Sequence, residues 1–348
     1  MAVTLSSLTD LAGLPFDTVV DVRSPAEYAE DHVPGAISLP VLDDDERARV
    51  GTIYKQQSPF LARKVGGALV ARNAARHIEG SLADKDGAWR PLVYCWRGGQ
   101  RSGSFASILS QIGWRADTVA GGYKTWRALV VRQVQEMPVA APVVVLDGNT
   151  GSAKTGILLR AAALGTQVLD LEGMANHRGS LFGHMAGGQP SQKAFEGRLA
   201  MALAALNPAR PVLVEAESSK IGNLVVPKML WQAMVAAPRI TVEVPVAARA
   251  EYLVRAYADV TADAARLEDV VWLLRHAHAR EVIEGWLALA RAGDFRALAL
   301  DLMVRHYDPR YGKHRARMAG GRDRAVAAAD LSEASLDALA GRVVAELG

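Results

Sequence analysis

The sequence predicts an α/β protein: two parallel-sheet blocks in succession, then a helical region. Three observations carry this. Short β-branched strands bounded by breakers alternate with helix-like stretches in residues 18–112 and again in residues 143–246. A segment with two prolines and small residues, 137–142 (MPVAAP), separates the blocks. From about Ala247 strand signals stop, and Ala/Leu/Arg-rich sequence reads as helix almost to the end. The expected organisation is therefore a domain over 1–136, a linker over 137–142, a second domain over 143–246 and a helical region over 247–348.

In the first block, residues 18–22 (TVVDV) and 91–94 (PLVY) read as short buried strands, with helices after Pro25 and from Ser102 to about Ile112. In the second, residues 143–146, 167–171, 212–215 and 240–244 are the expected parallel strands. No repeat at solenoid periods and no low-complexity tract interrupts the pattern.

Composition narrows the class. Of 348 residues, 50% are hydrophobic and 22% charged, enough to build packed cores rather than a disordered chain. Forty Lys and Arg against 37 Asp and Glu give +3, a balance that permits a polyanionic partner without demanding one. No apolar run reaches the length of a membrane span, and the start MAVTLSSLTD lacks the features of a signal peptide, so a cytoplasmic protein with no membrane partner is expected. A single cysteine, Cys95, excludes an intramolecular disulfide and a Cys-based zinc cluster.

Cys95 ends the strand PLVY and opens the loop Trp96, Arg97, Gly98, Gly99, Gln100, Arg101. Amides of a glycine-bearing loop at a helix start form an anion cradle, and two arginines add positive charge. Both favour thiolate over thiol, so Cys95 is expected to be a nucleophile with a depressed pKa rather than an inert buried cysteine. The spacing from cysteine to the second arginine admits two chemistries: a phosphatase loop, or a loop in which the cysteine carries a chalcogen.

Residues 148–155 read Gly148, Asn149, Thr150, Gly151, Ser152, Ala153, Lys154, Thr155, directly after the strand VVVL and before a helix. This is a phosphate-binding P-loop with Ala153 in place of the last glycine, a replacement expected to be tolerated if that residue has helical dihedrals. Lys154 would reach terminal phosphates and Thr155 would ligate Mg²⁺. A second metal-facing carboxylate is expected at a neighbouring strand end, Glu215 first and Asp170 second. The segment NHRGSLFG places His177 and Arg178 after a strand, where they could contact phosphate or a nucleobase. His276 and His278, two apart on a helix, read as structural.

Between residues 305 and 324 the chain carries Arg305, Arg310, Lys313, Arg315, Arg317, Arg322 and Arg324 against Asp308 and Asp323, with Tyr307 and Tyr311 interleaved. This densest basic stretch could hold RNA phosphates and stack an unpaired base; a solvated surface is the bland alternative.

The stretch DVRSPAEYAEDHVPGAISLP from Asp21 and GGYKTWR from Gly121 resemble the opening and closing signatures of rhodanese domains, with Cys95 between them as the chalcogen-carrying residue. The loop is one residue longer than that of ordinary rhodaneses, room for a phosphate-sized group. Together with GNTGSAKT, DLEGMANHRGSLFG, EAESSKIG, YDP and RVGTIYKQQSPFLARKVGGALVARN, the pattern resembles the bacterial tRNA 2-selenouridine synthase family over nearly the whole chain. The resemblance implies a cytoplasmic transferase acting on tRNA that carries 2-thiouridine in its anticodon. It would geranylate that sulfur with geranyl diphosphate, then replace the geranylthio group with selenium from selenophosphate. The implied partners are tRNA and a selenophosphate supply, not DNA. Mg²⁺ is the expected cofactor, with no tightly bound organic group. The competing expectation is a rhodanese-type sulfurtransferase fused to a P-loop ATPase, which leaves the DLEG and EAES strings without a purpose.

Overall fold

The computed structural model describes residues 2–310, 312 and 323–347. The chain divides into two compact units: residues 1–137 with 190–205, and residues 138–189 with 206–348.

The first unit is built on a five-stranded sheet of β1 (Ala2–Val3), β2 (Thr18–Asp21), β3 (Ile37–Ser38), β4 (Pro91–Tyr94) and β5 (Asp117–Val119), in the order β1-β5-β4-β2-β3 with every neighbouring pair parallel. β4 is central and all four of its residues are buried, as expected for an unbroken apolar run in a parallel sheet. Its Pro91 stands at the first position, where a strand tolerates a missing donor. Helix Pro25–Glu30 starts with proline behind a capping box of Ser24 and Glu27. Two longer helices, Asp44–Gln56 and Pro59–Glu79, lie between β3 and β4. Asp43 caps the first through the Glu46 amide, and Ser58 caps the second.

The helix Gln192–Ala204 also belongs to this unit, although it lies in sequence between strands of the other. Phe195 on it is fully buried, and Gly197 sits so close to the fully buried Trp126 that a Cβ there would lie 2.8 Å from the indole. Arg127 and Glu196 pair across the same contact.

The second unit is built on β6 (Val143–Gly148), β7 (Gln167–Leu169), β8 (Val212–Glu215), β11 (Arg239–Glu243) and β12 (Arg324–Ala327), ordered β12-β11-β6-β8-β7 and parallel throughout; β9 (Lys220–Ile221) and β10 (Leu224–Val225) form a separate antiparallel ribbon. The sequence reading has no strand after Ala247, so β12 is a difference. It is an edge strand of four residues in which Val326 alone is buried, too short to show an alternation. The helix Glu333–Ala345 follows it and sends Leu336, Leu339 and Val343 into the same core as Ile157 and Leu158 of the helix after the P-loop. The helices Ala264–Leu273, Arg280–Arg291 and Phe295–Leu302 share a further core around Trp286. The last of them continues into a π-helical turn, Met303–Tyr307. Among the described residues no helix is long and apolar enough to cross a membrane.

Candidate active site

Two sites form, one at the carboxyl end of the central strand of each unit, where parallel α/β sheets bind ligands.

In the first unit, Cys95 follows β4 and is 4% exposed. Its Sγ accepts the Gly99 amide at 3.3 Å and the Ser102 hydroxyl at 3.2 Å. Burial opposes the anion, but these donors, with the Ser102 amide and the positive charge of Arg101, outweigh it and hold the thiol below its ordinary value. Gly98 has φ +63° and no room for a side chain, since a Cβ would lie 2.5 Å from the Val119 carbonyl. The closing signature grips the loop from beneath: Tyr123 N–H donates to the Cys95 carbonyl at 2.8 Å, and Lys124 N–H to that of Trp96 at 3.1 Å. Trp96 stacks on Tyr123 with centroids 5.2 Å apart, so its ring packs the loop.

The opening signature supplies charge. Arg23, buried, pairs with Asp21 at 2.6 Å and lies 4.0 Å over the Tyr123 ring. Arg101 donates to Glu27 at 2.8 Å, and Arg47 meets the same carboxylate at 3.0 Å. Arg101 therefore acts on Cys95 through its field while Glu27 fixes its position. Arg97 and Gln100 are exposed, on the rim of a cavity of about 670 Å³ with Cys95 in its wall. The opposite wall comes from the two helices before β4, through Val50, Tyr54, Ala62 and Arg63.

In the second unit the P-loop follows β6. The Ser152 amide donates to the Asn149 carbonyl at 3.1 Å, the Thr150 carbonyl accepts from Arg249 at 2.9 Å, and Gly151 has φ +81° against Leu253. Lys154 Nζ donates to the Gly148 carbonyl at 2.9 Å. Ser152 Oγ is fully buried with no hydrogen-bond partner among the described residues. Ala153 is a correction: it has φ +59° and ψ +30°, the left-handed conformation, not the helical dihedrals expected of it. The loop demands the geometry for which glycine is the usual choice, and a methyl group there carries a penalty of about 1–2 kcal/mol.

Thr155 Oγ1 donates to Glu172 at 2.7 Å and stands 3.1 Å from Glu215. Glu215, fully enclosed, accepts the Glu172 amide at 2.7 Å. Burial first, and then the negative charges of Glu172 and Glu217, push its carboxyl well above the usual range; burial and Glu172 do the same to Glu217. Asp170 caps the helix Leu171–Ala175 through the Gly173 amide at 2.7 Å and lines, with Thr155 and Glu172, a cavity of about 450 Å³ over the phosphate loop. Glu172 and Glu217 were missed in the sequence. Each stands two residues beyond a named candidate, inside the strings DLEG and EAES.

His177 is buried, accepts the Gly179 amide at 3.2 Å and meets His184 edge to face. Burial, with His184 beside it, holds its pKa below the ordinary value. Arg178 pairs with Asp259 at 3.0 Å, lies over Tyr257 and borders the phosphate-loop cavity. Asp308, of the string YDP, clamps Arg249 at 2.7 and 3.0 Å, and so supports the loop carbonyl that Arg249 holds.

Of the basic stretch, Arg305 is exposed and paired with Asp301 at 2.9 Å. Arg310 donates to His306, whose pKa is pulled down to about 4 by burial and by Arg310, so the ring is neutral at pH 7. His306 in turn contacts His278 at 2.8 Å. Arg310 and Tyr307 line a cavity of about 590 Å³ that also reaches Glu217 and Ser180. Tyr311, Lys313, Arg315, Arg317 and Arg322 lie outside the described residues. Among the described residues no group of three or more His, Cys, Asp and Glu side chains is arranged to hold a metal ion by itself.

A cysteine loop of lowered thiol pKa on one parallel sheet, and an acid-crowned P-loop on another, define a two-site rhodanese and P-loop protein. Residues 4–129 match the family described as rhodanese-like domain, and residues 141–284 that described as tRNA 2-selenouridine synthase AAA domain. The chain is 39% identical over 254 residues to a tRNA 2-selenouridine synthase of Aeromonas salmonicida, covering 72% of this chain and 67% of that protein. It is 33% identical to the Hahella chejuensis protein of the same name, over 86% of this chain and 85% of the relative. With that of Alcanivorax borkumensis it shares 32% identity over 87% and 90%. This chain belongs to the tRNA 2-selenouridine synthase family.

Proposed function

We propose that this enzyme converts 2-thiouridine at the tRNA wobble position to 2-selenouridine in two steps, with S-geranyl-2-thiouridine as the intermediate. The observation that carries the reading is the seat of Cys95, a thiolate-favouring nucleophile on the wall of an open cavity, in a chain that also has a phosphate-binding loop.

In the first step the base sulfur attacks carbon 1 of geranyl diphosphate. The carbon–oxygen bond breaks, diphosphate leaves with the electron pair, and the base loses its N3 proton. The amides of residues 148–155 and Lys154 are the groups to hold that diphosphate. The fully buried, unpartnered Ser152 hydroxyl supports an oxyanion at the loop. Mg²⁺ fits the donor set: Thr155, Glu172 and Glu215 crowd oxygen ligands whose mutual repulsion Lys154 offsets only in part, and Mg²⁺ takes few protein ligands and completes its shell with phosphate and water. When bound it would neutralise charge on the departing diphosphate. Arg305, Tyr307 and Arg310 are the described residues of the basic stretch that this reading assigns to tRNA.

In the second step the Cys95 thiolate attacks carbon 2 of the geranylated base and geranylthiol leaves. Selenium from selenophosphate then displaces Cys95, and water takes the phosphoryl group. This order is redox-neutral. Carrying selenium as a Cys95 perselenide would oxidise selenium from the selenide level, and the chain has no second cysteine to absorb that change. Geranylated anticodon stem-loop incubated with the protein without selenophosphate should yield a covalent protein–RNA species and free geranylthiol, both absent in Cys95→Ser. Geranylthiol appearing only after selenophosphate is added would overturn this order.

A further inference from the structure

Beside the P-loop lies a second, apolar cavity, walled by Leu253, Val254, Tyr257, Val260, Phe295 and Leu298. We propose that it is the hydrocarbon subsite of the P-loop's substrate, and that it selects an isoprenoid diphosphate over a nucleotide. This rests on the reading that residues 148–155 hold a diphosphate.

Continuity of the two spaces is the first argument. Thr150, Ser180, Leu253 and Tyr257 border both the apolar cavity and the phosphate-loop cavity. One molecule with a charged head and an apolar tail can thus occupy both. Thr150 belongs to the loop itself, and its carbonyl is pinned by Arg249, which Asp308 clamps in turn. The shared border is therefore a fixed part of the fold.

Lining chemistry is the second. A ribose or a nucleobase entering this space would give up water at several polar atoms against aliphatic and aromatic walls, whereas a hydrocarbon loses nothing there. Val260, Leu298 and Leu302 are also core residues of the helical cluster, so the walls are preformed. A place for the other reactant is the third argument. The cavity holding Tyr307 and Arg310 meets the other two at Ser180, which borders all three. Head, tail and incoming base thus have separate spaces converging on one residue.

The test is isothermal titration of the full chain with Mg²⁺ and no tRNA, using pyrophosphate, ATP, and dimethylallyl, geranyl and farnesyl diphosphates. Geranyl diphosphate should bind about 100-fold or more tighter than pyrophosphate, the scale for burying several methylene groups, and ATP no tighter than pyrophosphate. Ala299→Leu, which fills the cavity from its wall, should shrink the geranyl-to-pyrophosphate ratio at least tenfold and leave pyrophosphate affinity unchanged. Phe295→Leu, which enlarges it, should shift the preference toward the fifteen-carbon chain. Equal affinity for geranyl diphosphate and pyrophosphate, or a ratio unmoved by both substitutions, would overturn the subsite. Failure of pyrophosphate itself to bind the native protein would instead remove the phosphate-loop reading on which it rests.

Discussion

At the scale of single residues, the acidity of Cys95 is set by a handful of donors, and Ser102 is the one that can be removed without touching the loop backbone. Its hydroxyl lies 3.2 Å from the sulfur in a fully buried position. Ser102→Ala deletes a donor to the thiolate, so the thiol pKa rises and less thiolate exists at neutral pH. The rate of alkylation by iodoacetamide, followed against pH, should move to higher pH and fall at pH 7, with urea unfolding changed by about 1 kcal/mol or less. A profile identical to the native one would mean that backbone amides and Arg101 alone set the acidity. The nucleophile, its glycines and its arginines were legible in the sequence because their chemistry is local. The partner of Arg101 was not, since Glu27 lies 74 residues away. Ala153 shows the opposite limit: the motif was legible, but its backbone geometry depends on how the whole loop closes.

At the scale of elements, the ends of β6 and β8 and the short helix after β7 bring Glu172 and Glu215 to the Thr155 hydroxyl, with the charge of Glu217 beside them. Glu215 and Glu217 both have folded-state pKa values above those of an unfolded chain. The stability such groups contribute is therefore full below the ordinary carboxylate pKa and is lost as pH rises through the raised value. Glu215→Gln keeps the shape and removes one of the charges. Its unfolding free energy in urea should match the native one at pH 4 and exceed it increasingly above, by about 1–3 kcal/mol at pH 8, the scale for a buried polar group in an unfavourable setting. Mg²⁺ should stabilise the native protein and the variant less. A gap that does not grow with pH would show that Glu215 is not the group under repulsion. The position of Glu215 at the end of a neighbouring strand could be anticipated from the run VLVE. That Glu172 and Glu217 converge with it could not, because burial, not spacing, brings them together.

At the scale of the molecule, residues 190–205 join a core whose other members lie before residue 138. Nothing in the pattern of QKAFEGRLAMALA announces this, since its apolar residues serve equally well against either sheet. Residues 1–137 produced alone should lack the cover for Trp126 and unfold at lower urea than the same unit in the full chain. A loss of about 3–5 kcal/mol is expected, comparable to deleting a large buried side chain. A peptide of residues 190–205 added in excess should restore part of it, while one carrying Gly197→Val should not, because the added carbons would collide with the indole. Equal stability with and without the segment would show that the helix is a passenger.

The same arrangement bears on how such a protein can change over generations. Trp126 and Gly197 are 71 positions apart and touch, so an enlargement at one is tolerated only after a reduction at the other. A recombination event that imported a foreign residue 1–137 segment would bring in a pocket without its matching helix. The first unit is therefore inherited as two stretches of gene that must travel together, and the rhodanese part of this chain is no longer a free module.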